Sequence, residues 1–302
     1  MAGFRGSYTV MVTPFDEAGR VDEAGLRRFV DWQIEGGAQG LIPLGSTGEF
    51  LSLTRDERSL VASTVIDQAA GRVPVLVGTA AEWTDEAVAA SKEAERLGAD
   101  GVMIVPPYYS SPTEDEIFVH YRRIAEALSI PIMVYNNPYT SNVDLSAPLV
   151  ARLSEIDNVS YIKESSGHVP RATQILRLCG DRMTVFAGYH PWESFLAGAQ
   201  GYVSVFSNIS PALSTELFNV TVDRRDPEGG RQIYHRVLPL LEALSGDLYV
   251  SATKAALGII GMPVGDPRPP RLPLPQVNRT ALEGVLRDLG LVRADTSSSR
   301  SV

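Results

Sequence analysis

Eight short runs of apolar residues, rich in Val and Ile, recur along the chain, and each is followed by a segment with helical periodicity. Most of these runs are apolar throughout rather than alternating between apolar and polar positions. That pattern is typical of parallel strands covered by helices. The runs cover residues 8–15, 40–45, 73–79, 101–107, 130–136, 159–165, 183–188 and 201–207. Strands and helices that alternate eight times predict an α/β fold, the (β/α)8 TIM barrel.

The segments between the strands carry signals that begin and end helices. Thr84 is the candidate N-cap of a helix in the segment 84–100, and Gly98 stands where that helix should end. Thr54 is the candidate N-cap in the segment 53–71. A doubly wound open sheet is the alternative architecture, but no Gly-x-Gly-x-x-Gly motif follows the first strand, which disfavours it.

The chain continues well beyond the eighth predicted strand. Further helices are predicted near 210–223, 229–245, 250–260 and 278–290, and we expect them to pack on the barrel as a small helical bundle. The stretch 261–276 holds six prolines and is expected to be an extended surface connection. The predicted organisation is therefore a barrel over 1–209, a C-terminal helical extension over 210–292 and a disordered polar tail over 293–302.

Composition and charge exclude several classes of function. The formal net charge is −9 and no run of Lys and Arg exceeds two residues, so we expect no nucleic-acid partner. No apolar stretch is long enough to span a bilayer, and the N-terminus has no apolar signal region, so we expect a cytoplasmic protein without a membrane partner.

Cysteine and histidine usage indicates no metal site. Cys179 is the single cysteine, which fits a reducing compartment and excludes a thiolate zinc cluster within one chain. We interpret it as a small packed residue at a helix end rather than a nucleophile. The four histidines, at 120, 168, 190 and 235, show no metal-ligand spacing, so a metal-dependent barrel is disfavoured.

Lysine is scarce in this chain, which has only three. Lys92 lies on the polar face of a predicted helix, and Lys254 in a late helix is expected to be structural or ion-paired. Lys163 interrupts the sixth apolar run near its end, where active sites of (β/α)8 barrels lie. Burial lowers the pKa of a lysine, and the neutral amine can form a Schiff base with a ketone. The alternative is a buried lysine paired with a carboxylate.

Three other segments follow predicted strands at the same end of the barrel. In GSTGEF, over 45–50, two glycines, Ser46 and Thr47 predict a tight turn whose N–H groups can bind a carboxylate or phosphate, although an ordinary Gly-rich turn is the alternative. In YNNP, Tyr135 is either a proton shuttle or a core tyrosine. Adjacent tyrosines in PPYYSSP, including Tyr109, are typical of interfaces.

Together these segments resemble the dihydrodipicolinate synthase / N-acetylneuraminate lyase family of class I, Schiff-base pyruvate-dependent aldolases. The matching motifs are GSTGE after strand two, PPYY after strand four, YNNP after strand five and YIKESSG in strand six, in the order and at the spacing of the family. The resemblance covers about residues 4–290, including the RLPL segment in the C-terminal part.

The resemblance implies that Lys163 condenses with the keto carbon of pyruvate or another 2-oxo acid, and that the resulting enamine attacks an aldehyde or the path runs backwards. Tyr135 would be the general acid and base, with Ser46 and a neighbouring subunit's tyrosine at the position of Tyr109 completing a hydroxyl relay. No metal or organic cofactor is implied, because the iminium is itself the electron sink. The family suggests a homotetramer built as two dimers. The implied or candidate substrate-binding residues are Thr47, Gly48, Thr140, Ser165, His190 and Val203.

Two departures from the family concern the second substrate. In dihydrodipicolinate synthases an arginine two residues after YN-x-P binds the carboxylate of aspartate semialdehyde, but Thr140 stands here. In sialic acid lyases strand seven ends in Gly-Tyr-Asp-Glu, whereas this chain has His190 and Pro191 at the acidic positions. We expect a more apolar, aromatic pocket that includes Tyr139 and Trp192. His190 is interpreted either as an acceptor contact or as a helix-capping or solvated residue.

The leading interpretation is a Schiff-base lyase, either an aldolase or a dehydratase, that lacks the arginine for aspartate semialdehyde. The alternative within the same chemistry is a 2-keto-3-deoxy sugar acid aldolase or dehydratase. A non-catalytic barrel that senses pyruvate is an alternative from a different class of function. It is disfavoured, since a sensor does not need Lys163, Tyr135 and the turn with Ser46 and Thr47 together. Arg171, in the helix after strand six, is expected to face solvent and not to replace the missing arginine.

Overall fold

The computed structural model describes residues 3–292, so the disorder predicted for 293–302 concerns residues outside the described part of the chain. Eight parallel strands form its centre. They are β1 (Gly6–Val10), β2 (Gly40–Ile42), β3 (Leu76–Gly78), β4 (Gly101–Ile104), β5 (Ile132–Asn136), β6 (Val159–Glu164), β7 (Thr184–Ala187) and β8 (Gly201–Ser204). They pair in the order β2-β1-β8-β7-β6-β5-β4-β3. Each lies within or overlaps one of the eight apolar runs.

The first and last strands of that order also meet, which closes the barrel. Leu41 and Val75 form a parallel bridge, and the backbone N–H of Gly78 donates to the carbonyl of Pro43 at 2.9 Å. A Cβ at Gly78 would lie 2.1 Å from the carbonyl oxygen of Leu44, so only glycine allows the two strands to approach this closely. The predicted (β/α)8 barrel is confirmed.

Helices surround the strands and continue beyond them. They are α1 (Glu23–Glu35), α2 (Arg55–Ala69), α3 (Thr84–Leu97), α4 (Glu114–Ala125), α5 (Pro138–Ser141), α6 (Ala147–Leu153), α7 (Arg171–Cys179), α8 (Pro191–Leu196), α9 (Pro211–Phe218), α10 (Pro227–Ala243), α11 (Tyr249–Ile259) and α12 (Gln276–Asp288). Ser214 of α9 is hydrogen-bonded to Ser7 of β1 through a 2.7 Å contact between hydroxyls, so α9 packs on the barrel wall. No helix within residues 3–292 has the length and apolarity needed to cross a membrane.

The helix starts agree with the sequence in one case and differ in another. Thr54 caps α2 as predicted, and it forms a capping box with Glu57. At α3 the N-cap residue is Trp83, and Thr84 is already the first helical residue. The prediction of Thr84 as N-cap was wrong because its hydroxyl pairs with Nδ1 of His120, 3.0 Å away, instead of with the helix backbone.

A buried ion pair joins the C-terminal extension to the barrel. Nζ of Lys254, on α11, lies 2.9 Å from the carboxylate of Glu49, in the turn after β2, and both side chains are almost fully buried. The ammonium also donates to the carbonyl of Asp266 and lies 4.0 Å from the ring centroid of Phe15. The backbone N–H of Arg268 donates to the same carboxylate at 3.0 Å. The expected ion pairing of Lys254 is confirmed.

We predict that Lys254→Met lowers the free energy of unfolding by about 3–5 kcal/mol, because it leaves the Glu49 carboxylate buried without its partner. Adding Glu49→Gln should recover part of the loss, since no charge then remains buried. Lys92→Met, at an exposed position on α3, is the matched control. Urea unfolding followed by circular dichroism measures all three, and a Lys254→Met protein as stable as the wild type would contradict the prediction.

Candidate active site

Lys163 and Tyr135 lie side by side at the carboxyl ends of two adjacent strands. Tyr135 of β5 pairs in register with Lys163 of β6, so both side chains project to the same face, into the barrel. Both are buried, and Nζ of Lys163 lies 3.9 Å from the centroid of the Tyr135 ring. The register between strands 5 and 6 therefore decides that an amine and a phenol share one site.

Lys163 has no ion-pair or hydrogen-bond partner among residues 3–292. Burial in the barrel lowers its pKa to about 7, because the ammonium loses its hydration without gaining a counter-charge. The alternative of a lysine paired with a carboxylate is therefore wrong for Lys163, whereas it describes Lys254. A large fraction of Lys163 is the neutral amine near pH 7, which is the nucleophilic form.

Asn136 follows Tyr135 on β5, and Glu164 follows Lys163 on β6. Their side chains point outward and join the two strands by a hydrogen bond. Nδ2 of Asn136 donates to the carboxylate of Glu164 at 2.9 Å, and the N–H of Leu145 donates to Oδ1 of Asn136. The Glu164 carboxylate also accepts from the N–H of Ser166 at 2.7 Å. Sequence reasoning missed this pair, although a polar residue directly follows both Tyr135 and Lys163.

The hydroxyl of Tyr135 sits in a polar cluster. Nδ2 of Asn137 donates to it at 2.8 Å, which leaves the phenol proton free to be donated elsewhere. Burial raises the pKa of Tyr135, and the neighbouring polar side chains of Asn137, Ser46 and Ser165 partly oppose that rise. The phenol is therefore protonated at neutral pH and surrounded by groups that can exchange protons with it.

The GSTGE turn takes the shape that the glycines allow. Residues Ser46–Gly48 form one turn of 3-10 helix at the end of β2, with Thr47 buried in the cavity wall. The hydroxyl of Thr13 donates to the carbonyl of Gly48 at 2.7 Å. A Cβ at Gly48 would approach the carbonyl oxygen of Met11 to 3.0 Å, so glycine suits this packing.

A cavity of about 570 Å³ opens above Lys163 at this end of the barrel. Of the residues predicted from sequence, its wall includes Lys163, Tyr135, Thr47, Val203, Thr140, Ser165, His190 and Tyr139. The wall also includes residues that sequence reasoning did not single out, among them Asn137, Tyr189, Asp247, Tyr249 and Arg271. A second cavity, of about 480 Å³, lies between α2 and α3 beside Trp83 and contains no lysine.

Two residues of the cavity wall carry buried polar atoms without partners. Oγ of Ser165 and Oδ1 of Asn137 have no hydrogen-bond partner among the described residues. A Cβ at Gly188 would lie 1.7 Å from Oγ of Ser165, so the glycine makes room for that hydroxyl.

Trp192, expected in the second-substrate pocket, and Arg171, expected to face solvent, both lie elsewhere. Trp192 is outside the cavity, because its ring stacks on Tyr234 of α10 and its indole N–H donates to the carbonyl of Pro227. Arg171 does not face solvent, since its side chain is 11% exposed and its guanidinium is paired with Asp144. Both predictions were wrong because packing against distant helices and loops, not position along the chain, decided where these side chains point.

His190 and Tyr109 take positions that differ from the rest of the site. His190 is the N-cap residue of α8, with a left-handed backbone, but its side chain makes no capping hydrogen bond, so the helix-capping interpretation is wrong. Its side chain is exposed at the rim of the cavity. Tyr109 is 89% exposed and outside the cavity. Its loop is held by Glu82, whose carboxylate accepts from three backbone N–H groups of residues 108–110.

Comparison with known proteins identifies the family. The model of the dihydrodipicolinate synthetase family matches residues 3–289. The chain belongs to this family. The 4-hydroxy-tetrahydrodipicolinate synthase of Syntrophobacter fumaroxidans is 37% identical over 296 residues, which cover 96% of this chain and 100% of the relative.

Solved structures of this family superpose closely on the chain. The chloride-inhibited dihydrodipicolinate synthase of Acinetobacter baumannii, complexed with pyruvate, is 34% identical, with a TM-score of 0.93 over 96% of this chain and all of the other. YagE of Escherichia coli K12, a prophage member of the family in complex with pyruvate, is 30% identical, with a TM-score of 0.91 at the same coverage. The chain is a lyase of the class I, Schiff-base aldolase type, as the members of this family are.

No group of three or more His, Cys, Asp or Glu side chains within residues 3–292 is arranged to hold a metal ion. The chemistry available in this cavity is that of an unpaired amine, a phenol, several hydroxyls and the backbone N–H of Thr47. Such a set suits nucleophilic addition to a carbonyl followed by proton transfer.

Proposed function

We propose that the protein forms a Schiff base between Lys163 and pyruvate or another 2-oxo acid, and that it acts as an aldolase or dehydratase through that adduct. The observation that carries the proposal is a buried lysine without a counter-charge, in register with a buried tyrosine. The relatives from Acinetobacter baumannii and Escherichia coli with pyruvate bound support the choice of substrate.

The proposed reaction begins with the neutral amine of Lys163. It adds to the keto carbon and gives a carbinolamine, which loses water to become a protonated Schiff base. The hydroxyl of Tyr135 transfers the protons of these steps as general acid and base. A proton then leaves the carbon next to the iminium, the iminium takes up the electron pair, and the enamine attacks an aldehyde. Hydrolysis releases the product and restores the amine.

The carboxylate of the 2-oxo acid is assigned to the turn after β2. The hydroxyl and the backbone N–H of Thr47 are donors at the cavity wall, whereas the N–H of Gly48 donates to the carbonyl of Gly45 at 3.0 Å. Backbone N–H groups that converge in a tight turn bind anions well, since they need no counter-ion and lose no side-chain entropy. We assign to the main-chain carbonyl of Val203, on β8, a place facing Lys163 across the cavity wall that both residues line.

The first test is covalent trapping. Pyruvate with cyanoborohydride should label Lys163 and neither Lys92 nor Lys254, as measured by peptide mass spectrometry. The rate should rise as pH increases through about 7, because the ammonium of Lys163 must lose its proton before the amine can add to the ketone. A label on Lys254, or no label at any pH, would refute the mechanism, and Lys163→Met is the negative control.

Tyr135→Phe should lower turnover by about 10²–10⁴-fold, the usual contribution of a general acid or base. Steady-state kinetics with the trapped substrate and its aldehyde partner measure the effect. Tyr161→Phe is the matched control, because it removes a tyrosine hydroxyl from the neighbouring strand β6. That hydroxyl accepts from the N–H of Phe4 and lies outside the cavity. If the two variants turn over equally fast, Tyr135 has only a structural role.

We also propose that Tyr109 completes the proton relay through Ser46 in a neighbouring subunit, within a tetramer built as two dimers. Its support is the exposure of Tyr109 on a loop that Glu82 holds in place. A loop fixed by a carboxylate can present an exposed ring to another chain without further ordering.

Subunit mixing tests this arrangement. Tyr109→Phe and Lys163→Met proteins should each be nearly inactive, and mixing them after partial dissociation should restore activity, since one site in a mixed dimer has both groups. Absence of restored activity in mixed dimers confirmed by mass spectrometry, or sedimentation showing a fully active monomer, would contradict the proposal.

For the second substrate, we propose that the position of Thr140 cannot hold the carboxylate of aspartate semialdehyde. Thr140 is exposed at the rim, and its hydroxyl lies 3.5 Å from the carbonyl of Asn137. Arg171 does not substitute for the missing arginine, because its guanidinium is bound to Asp144 and to the carbonyl of Leu145. A hydroxyl lacks both the charge and the fork geometry that bind a carboxylate.

Condensation with aspartate semialdehyde should therefore be about tenfold to a few hundredfold slower than in a synthase that carries the arginine, since a charge-assisted hydrogen bond contributes roughly 1.5–3 kcal/mol. Thr140→Arg should raise the rate, and Thr140→Gln, long but uncharged, should not. A coupled assay with dihydrodipicolinate reductase measures this. A wild-type rate equal to that of the synthase would show that the argument from Thr140 is wrong.

A second candidate within the same chemistry is a 2-keto-3-deoxy sugar acid aldolase or dehydratase. It is favoured by the polar side chains of Ser165, Asn137 and Thr140 on the cavity wall, because hydroxyl and amide groups can pair with sugar hydroxyls. A panel of 2-keto-3-deoxy acids, assayed for pyruvate release and for loss of water, distinguishes it from an aldolase that uses apolar aldehydes.

A further inference from the structure

Arg271 is the arginine that lines the cavity containing Lys163. It comes from the proline-rich segment between α11 and α12, not from a strand or a strand-to-helix loop of the barrel. Among residues 3–292 it has no ion-pair or side-chain hydrogen-bond partner. A cation that faces a substrate cavity without a protein counter-ion is available for an anionic ligand.

The segment that bears Arg271 is anchored on both sides. Arg268 donates through its guanidinium to the carboxylate of Glu57 at 2.8 Å, and its backbone N–H donates to Glu49. The hydroxyl of Ser251, on α11, donates to the carbonyl of Leu272 at 2.7 Å. The first arginine of Arg-Pro-Pro-Arg thus fixes the segment on the barrel, and the second faces the cavity.

Tyr249, the first residue of α11, lines the same wall. Burial raises the pKa of Tyr249, and the charge of Arg271 opposes the rise. The phenol is protonated at neutral pH and is a second donor beside the guanidinium. Thr47, in the turn assigned to the carboxylate of the 2-oxo acid, lines the same cavity.

We propose that Arg271, with the hydroxyl of Tyr249 beside it, binds a second carboxylate of the substrate, at the end remote from the carbon that Lys163 attacks. The substrate class is then a 2-oxo acid, or an aldol adduct of one, with a carboxylate at both ends. This inference rests on the proposed Schiff-base function.

Size and charge of the cavity favour that class. A cavity of about 570 Å³ is far larger than a three-carbon 2-oxo acid, so a longer chain can extend from Lys163 towards Arg271. The wall also carries one exposed carboxylate, Asp247. A cavity lined by one guanidinium and one carboxylate suits a monoanionic group better than a dianionic phosphate, and the planar fork of arginine matches a carboxylate.

Thr140 alone indicated that the cavity lacks a cation for a second anion. Arg271 supplies such a cation. Thr140 lies in α5 after strand 5, whereas Arg271 comes from the C-terminal extension. The two positions come from different parts of the fold, so the residue at position 140 does not decide whether Arg271 can bind a second carboxylate.

The experiment compares 2-oxo acids of equal chain length with and without a terminal carboxylate. The pairs are 2-oxoglutarate with 2-oxopentanoate, 2-oxoadipate with 2-oxohexanoate, and 2-oxopimelate with 2-oxoheptanoate. The concentration dependence of cyanoborohydride trapping on Lys163, read by mass spectrometry, measures the affinity of each. At one chain length or more, the wild type should favour the dicarboxylate by about tenfold or more.

Arg271→Gln should bring that ratio close to one, and Arg271→Lys, which keeps the charge but loses the fork, should give an intermediate ratio. Arg96→Gln, an exposed arginine on α3 outside the cavity, should keep the wild-type ratio. Equal affinities within all three pairs in the wild type, or a preference that survives Arg271→Gln, would overturn the inference. Failure of pyruvate itself to label wild-type Lys163 would instead overturn the proposed function.

Discussion

The buried ion pair between Glu49 and Lys254 joins the two parts of the molecule from which the cavity is built. Glu49 ends the turn whose Thr47 lines the cavity, and Lys254 lies on α11, which begins with Tyr249. A charge pair taken out of water tolerates little displacement, because separating it leaves each charge desolvated. The pair therefore couples the barrel turn to the C-terminal wall, so that the two sides of the cavity keep a fixed spacing.

Two buried lysines in one chain show how a counter-charge decides chemistry. Lys254 has a carboxylate at 2.9 Å, which opposes the lowering of its pKa by burial. Lys163 has no such partner among the described residues, and burial alone lowers its pKa to about 7. The first lysine holds helix α11 on the barrel, and the second is available as an amine. The outward pair of Asn136 and Glu164 keeps the nearest carboxylate on β6 directed away from it.

The cavity divides into parts with different origins. Its floor, with Lys163 and Tyr135, comes from barrel strands, and the geometry there depends on strand register. One rim comes from loops after strands 5 and 7 and presents Thr140 and His190. The other wall comes from the extension and presents Arg271. Chemistry at the floor and recognition at the walls can therefore vary separately, as is typical of (β/α)8 enzymes.

The sequence by itself determined the eight strands, the lysine, the tyrosine and the hydroxyl turn, because each depends on neighbouring residues: an apolar run, a polar residue that interrupts it, a pair of glycines. Only the tertiary structure decided that Tyr135 is in register with Lys163, that Trp192 and Arg171 pack elsewhere, and that Arg271 faces the cavity. These outcomes depend on contacts between segments far apart in the chain. Arg268 and Arg271 are both arginines of one proline-rich stretch, yet a carboxylate at Glu57, more than 200 residues away, binds the first and not the second.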